Sequence, residues 1–204
     1  SVESVTFNWI TLGRVAGFRV AEYAQTTQNK VDEFEYASGN RVIKAFISSD
    51  WTFYNKKGCL ITVHSLDGLD DPPAKVKLTF RIKKNRRNGQ KINFVADDKH
   101  PEICPVRAAY QIFLRAKRLG QNDDQPMGVF VNHQGITKYL TVSKIAEVLQ
   151  SFAKICHPDL MKDEIMRFTS HSIRVWAVVL LDEAGMNADF IKSRLCWMGD
   201  SYRS

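Results

Sequence analysis

Lys75-Val76-Lys77-Leu78-Thr79-Phe80-Arg81-Ile82-Lys83-Lys84-Asn85-Arg86-Arg87-Asn88-Gly89-Gln90-Lys91-Ile92-Asn93-Phe94-Val95-Ala96 is the stretch on which the fold turns. Val76, Leu78, Phe80 and Ile82 alternate with Lys77, Thr79, Arg81 and Lys83, a period of two that gives a strand one apolar and one cationic face. Lys91 to Ala96 offers a second strand with Ile92, Phe94 and Ala96 as its apolar set, and Asn88-Gly89 marks the turn of a hairpin. A two-residue Asn88-Gly89 turn would set Phe94 against Lys83. A three-residue loop, Arg87 to Gly89, pairs Ile82 with Phe94 and Phe80 with Ala96, with Gly89 in the left-handed conformation of a bulged turn. The second register keeps apolar against apolar and is the one expected. It places Lys84 on the face of Ile82, turned towards the body of the protein.

The same stretch carries the charge. The chain of 204 residues has a formal net charge of +7, yet residues 75–118 hold 13 basic and 3 acidic side chains. The flanking segments, 1–74 and 119–204, come to −2 and −1. Lys75 to Lys91 contains eight Lys or Arg and no acid. Solvated surfaces usually mix both signs, so a one-sign block of this size favours a polyanion, most simply a phosphate backbone.

Outside the hairpin the chain reads as one domain of mixed α+β type, mostly helical, without repeats or low-complexity linkers. Val5 to about Ala24 looks helical, although Gly13 and Gly17 interrupt it. Val42-Ile43, Ala45 to Ile47, Trp51 to Tyr54 and Leu60 to Val63 suggest short strands, and Asp67 to Pro73 a loop. Pro105 suits a first helical position before Val106, Ala109, Tyr110, Phe113 and Leu114. Ser143 can cap a helix that buries Ile145, Val148, Leu149, Phe152 and Ala153. Ile173, Trp176, Ala177, Leu180, Leu181 and Ala184 form the strongest helical stripe, capped by Thr169 or Ser170 and ended by Gly185. A short helix, Ala188 to Leu195, follows Asn187.

Other chemistries find little support. No apolar run approaches the roughly 18 residues of a membrane span, and the N-terminus lacks a signal-peptide layout, so no membrane or secretory role is expected. Cys59, Cys104, Cys156 and Cys196 form no CxxC pair and fit reduced thiols in a cytosolic or nuclear compartment. Their pairings with His64, His100 and His157 do not match zinc spacing, so no metal and no cofactor is expected. GxxxxGK[ST], GxGxxG and GxSxG are absent. His171 and Arg174 share a face at the start of their helix, where backbone N–H groups favour a phosphate. An isolated HxxR is more often a capping histidine with a surface arginine, and Arg19 with Glu22 at i, i+3 is more often a helix ion pair.

Taken in order, these weak signals resemble the tyrosine recombinases, the phage-integrase family. Gly17-Phe18-Arg19-Val20-Ala21-Glu22 resembles the GLR-x-x-E box that carries that family's first catalytic arginine. Next come the basic hairpin with Lys84 before its turn, and Cys104-Pro105-Val106-Arg107-Ala108, similar to a CPV-x-A helix start. His171-Ser172-Ile173-Arg174 resembles the HxxR box. Arg194-Leu195-Cys196-Trp197-Met198-Gly199-Asp200 resembles the GH or W box, in the tryptophan form of Crypton-like eukaryotic mobile elements. The five boxes span nearly the whole chain.

The resemblance implies an integrase-type catalytic domain over 1–204, with a small antiparallel sheet and a projecting basic hairpin. It implies Arg19 and Arg174 as clamps on a scissile phosphate, Lys84 as proton donor to the departing 5′ oxygen, His171 as acid–base partner or phosphate ligand, and Trp197 as a ligand through its indole N–H. Lys83, Arg86, Arg87 and Lys91 would contact double-stranded DNA. The family's attacking tyrosine lies eight or nine positions beyond the H/W residue, which here falls past Ser204; Tyr202 stands only five positions on and is the alternative. The expectation is therefore a domain truncated at both ends, working as a homotetramer on DNA when intact. Its expected location is the nucleus in a eukaryote, or otherwise the cytoplasm and nucleoid. The competing readings are a non-catalytic DNA-binding relic of the same fold, a type IB topoisomerase, and a protein-binding helical module.

Overall fold

The computed structural model describes residues 1–62, 71–82 and 88–195. Helix α1 (Val2–Ala16) is its axis, with Val5, Trp9, Leu12 and Ala16 buried at helical spacing. The Ser1 hydroxyl accepts the Ser4 N–H at its start. Gly13 allows a close crossing: a Cβ there would stand 2.9 Å from Ile173 Cγ2. Gly17 ends the helix with φ 62° and returns its N–H to the Gly13 carbonyl at 2.7 Å. The helix expected to reach Ala24 therefore stops at Ala16, and Arg19 leads in extended conformation into a 3-10 turn, Val20–Glu22.

Three small antiparallel sheets follow. Strands β1 (Glu33–Glu35) and β2 (Arg41–Ile43) form a surface hairpin, and β7 (Val129–Val131) pairs β8 (Thr137–Tyr139). The main sheet has the order β4-β3-β5-β6, with β3 at Trp51–Tyr54, β4 at Leu60–Ile61, β5 at Lys75–Phe80 and β6 at Gln90–Val95. Ala45 to Ile47, expected as a strand, is irregular backbone before a 3-10 turn at Ser48–Asp50. Its polar groups bond elsewhere: Phe46 N–H donates to the Glu22 carbonyl, and the Phe46 carbonyl accepts from Met127 N–H.

The hairpin register corrects the sequence reading. Val76 pairs Phe94, Leu78 pairs Ile92 and Phe80 pairs Gln90, a shift of about six residues from a tight-turn register. Because that shift is even, the alternation survives, and Val76, Leu78, Phe80, Ile92 and Phe94 are all buried. Strand β5 ends at Phe80, whose carbonyl accepts Gly89 N–H at 2.7 Å, and β6 begins at Gln90. The inward placement expected for Lys84 lies outside the described residues.

Helices α2 (Pro105–Arg118), α3 (Val142–Cys156), α4 (Lys162–Ile165), α5 (Ser170–Glu183) and α6 (Ala188–Leu195) complete the fold. Pro105 opens α2 and Thr169 caps α5 as expected. The cap of α3 is Thr141, whose hydroxyl accepts Lys144 N–H, rather than Ser143. Within the described residues the class is α+β, and no helix is long and apolar enough to cross a membrane.

The main core lies between α1, α2 and the inner face of the sheet. Trp9, Phe18, Tyr23, Phe46, Trp51 and Phe80 stack or meet edge to face within it, at centroid distances such as 5.3 Å for Trp9–Tyr23 and 5.2 Å for Phe46–Phe80. A second, thinner cluster joins Ala177 of α5 to Ile191 and Leu195 of α6. The expected α5 stripe is only partly covered: Ile173 and Ala177 are buried, whereas Trp176 is 44% exposed. On α3, Phe152 is likewise exposed.

Candidate functional site

Arg174 occupies the fifth position of α5 and is 8% exposed. Its Nη1 donates to the Gly17 carbonyl at 2.7 Å and its Nη2 to the Leu195 carbonyl at 2.6 Å. Gly17 is the C-cap of α1 and Leu195 the last residue of α6. A guanidinium thus sits between the negative ends of two helices, where its charge is favoured and its loss from water offset.

This placement brings the first and fourth sequence boxes together. Gly17 lies two residues before Arg19, and that interval spans at most about 7 Å of backbone. Arg19 is half-buried, and its N–H donates to the Glu22 carboxylate at 2.8 Å. The i, i+3 pair thereby closes the 3-10 turn through the backbone. His171, three residues before Arg174, is exposed on the first turn of α5. Tyr23 is buried beneath the same segment; burial, and then the Glu22 charge, push its phenol well above the ordinary range, so it is poorly suited to attack a phosphate.

The end of α6 also meets the root of the basic hairpin. Gln90 Nε2 donates to the Ser193 carbonyl at 3.5 Å, and the Arg194 guanidinium lies 4.9 Å from the centre of the Phe94 ring. Arg194 Nε reaches the Val15 carbonyl at 3.4 Å. One corner of the molecule therefore gathers the end of α1, the start of α5, the end of α6 and the base of β6. Lys91 is exposed at that base. Lys83, Lys84, Arg86, Arg87, Trp197 and Tyr202 lie outside the described residues.

Sequence reasoning missed the anchor on the opposite strand. Alternation placed Arg81 on the outward cationic face, but its Nε donates to Asp50 Oδ1 at 2.6 Å and Oδ2 at 2.9 Å, and its Nη2 to the Ala45 carbonyl at 2.7 Å. Asp50 is buried, and its carboxylate also accepts Ile47 N–H at 2.8 Å. Burial raises the Asp50 carboxyl above its ordinary range, against the downward pull of Arg81 and the Ile47 amide. The pair ties the residue that follows β5 to the 3-10 turn that precedes β3. Phe18 and Phe80, the residues immediately before Arg19 and Arg81, pack at 5.8 Å between centroids. No local signal reveals this, because Asp50 and Arg81 are 31 positions apart.

No family model matches the chain, and no curated protein matches it.

Proposed function

We propose that this chain is the catalytic domain of a site-specific tyrosine recombinase, which breaks and rejoins duplex DNA through a 3′-phosphotyrosine. The observation that carries the reading is the Arg174 guanidinium at the backbone of the Gly17–Glu22 box, in the corner where the basic hairpin is rooted. Two arginines brought to one phosphodiester would stabilise the charge that builds on its non-bridging oxygens as a fifth oxygen approaches phosphorus. A tyrosine oxygen would bond to phosphorus as the bond to the 5′ oxygen breaks, and Lys84 would give the leaving oxygen its proton. His171 would serve as acid–base partner, and Trp197 would donate its indole N–H to the phosphate. Rejoining reverses the step, with the 5′ hydroxyl displacing the tyrosine. The resemblance would put the attacking tyrosine eight or nine positions beyond Trp197, with Tyr202 as the alternative.

The test is a suicide DNA substrate offered to the full-length protein. A covalent protein–DNA adduct should form, and Arg174→Ala should abolish it while salt-sensitive binding persists. An Arg174→Ala protein as active as its parent would end the assignment.

A second reading, a DNA-binding relic that never cuts, is favoured by one feature. Two of Arg174's nitrogens already hold backbone carbonyls, as a purely structural cation would. Duplex binding by the full-length parent with no adduct on any substrate containing its site would select that reading.

A further inference from the structure

The outer face of the main sheet has been assigned no role beyond Lys91. Cross-strand pairing puts Thr52, Lys77 and Asn93 in one row and Leu60, Tyr54, Lys75 and Val95 in the next, all on the side opposite the buried Trp51, Phe53, Val76 and Leu78. Lys91, paired with Thr79, continues this face towards the connection that carries Lys83, Arg86 and Arg87. Among the described residues neither Lys75, Lys77 nor Lys91 forms an ion pair, and β3, β5 and β6 contain no acidic residue. Lys75 and Lys77 lean on the one aromatic ring of these rows: their ammonium nitrogens lie 5.5 and 5.6 Å from the Tyr54 centroid.

From this arrangement we infer that the outer face of β3–β5–β6 is a second DNA-contact surface. Lys75 and Lys77, spaced along β5 by Tyr54, would hold successive phosphates of a duplex flanking the cleaved site. The inference rests on the duplex-DNA reading above and extends it to residues that reading does not use. Residues i and i+2 on one strand face stand about 6.6 Å apart, the same order as the step between neighbouring phosphates on one DNA strand. The only aromatic of the two rows is occupied by lysines, which disfavours single-stranded nucleic acid, whose binding relies on open rings for base stacking. One-sign charge, with Thr52 and Asn93 beside Lys77 and the exposed Leu60 and Val95 at the ends of the Lys75 row, suits contact with a backbone and carries no base readout.

Fluorescence anisotropy with a 30-bp duplex of arbitrary sequence, titrated between about 50 and 200 mM salt, tests the surface, because each phosphate contact contributes a log–log slope of about −0.9. In the full-length protein, Lys75→Gln with Lys77→Gln should make the slope shallower by about 1.8 and weaken low-salt affinity roughly tenfold. Lys75→Arg with Lys77→Arg should restore both, with melting temperature unchanged throughout. An unaltered slope in the glutamine double variant, while Lys83→Gln with Arg86→Gln reduces it, overturns the inference and leaves the proposed function standing. Loss confined to a single-stranded DNA or RNA oligonucleotide overturns it as well. A shallower duplex slope in a full-length protein that forms no covalent adduct supports the surface while ending the recombinase reading. No duplex binding by the parent removes both.

Discussion

The sheet side of the molecule and its C-terminal helical side treat their tryptophans in opposite ways. Trp9 is 1% exposed and surrounded by Phe18, Tyr23, Phe46 and Trp51, whereas Trp176 on α5 is 44% exposed. The apolar cluster at the α5–α6 end is small, and Val175, Val179 and Phe190 are exposed around it. Beside it, an apolar groove of about 300 Å³ opens between α1, α3 and α5, lined by Leu149, Phe152, Cys156, Phe168 and Trp176 among others. The sheet side holds itself together by burying aromatic surface. The helical side packs on α1 through Ile173 at the Gly13 crossing and is pinned by the two Arg174 hydrogen bonds, while its outer positions stay uncovered.

The largest expected effect tests the contrast directly. Trp9→Ala should cost about 3–5 kcal/mol in global stability by equilibrium unfolding, whereas Trp176→Ala should cost no more than about 1 kcal/mol. Equal losses would show that the two regions are not built differently. Gly17→Ala comes next. A Cβ there would fall 2.0 Å from Leu195 Cδ2, on a residue with φ 62°. The left-handed backbone alone costs about 1–2 kcal/mol for a non-glycine residue, and Leu195 would have to move as well. Hydrogen exchange should therefore quicken in α6 and leave α1 and α2 protected; uniform quickening would mean that the two sides unfold as one unit.

The smallest effect concerns pH and the sheet side. A carboxyl whose value is raised on folding binds its proton more tightly in the native state. Its stabilising contribution is complete below the ordinary value of 3.8 and is lost as pH rises through the raised value. Asp50→Asn keeps the shape and removes that titration, so its unfolding free energy should lack the parent's decline across this window. Parallel parent and variant curves from urea unfolding at stepped pH would assign the decline to other groups.

Much of the fold was legible because it depends on neighbours in sequence. Pro105, Asn187 and the apolar spacing of 106–114 place α2 and α6 to within a residue or two, and Trp51 to Tyr54 is a strand as its β-branched and aromatic run suggests. Misreadings occurred where a distant partner intervened. Ala45 to Ile47 has strand composition but gives its backbone groups to Glu22, Met127 and Arg81. Trp176 lies on the correct stripe of α5, yet α1 and α6 together cover only part of that stripe. Of the candidate site, the order of the boxes was readable, and His171 and Arg174 share a helix turn as their spacing requires. Asp50 was invisible, since nothing beside it in the chain suggests a buried carboxylate.

The basic hairpin separates what each level decided. Period-two alternation determined by itself which side chains of β5 and β6 face the core, because a strand offers only two faces and burial selects one. Alternation does not fix how far along each other the strands slide, since every even shift preserves that choice, and the register expected from a three-residue Arg87–Gly89 loop was about six residues off. Tertiary structure settled it through Asp50, which binds Arg81 just past the end of β5, and through the buried contacts of Phe80 with Phe18 and Phe46. Those interactions close loops of 30 residues and more, and their strength depends on a desolvated carboxylate and packed rings that exist only once the chain has folded.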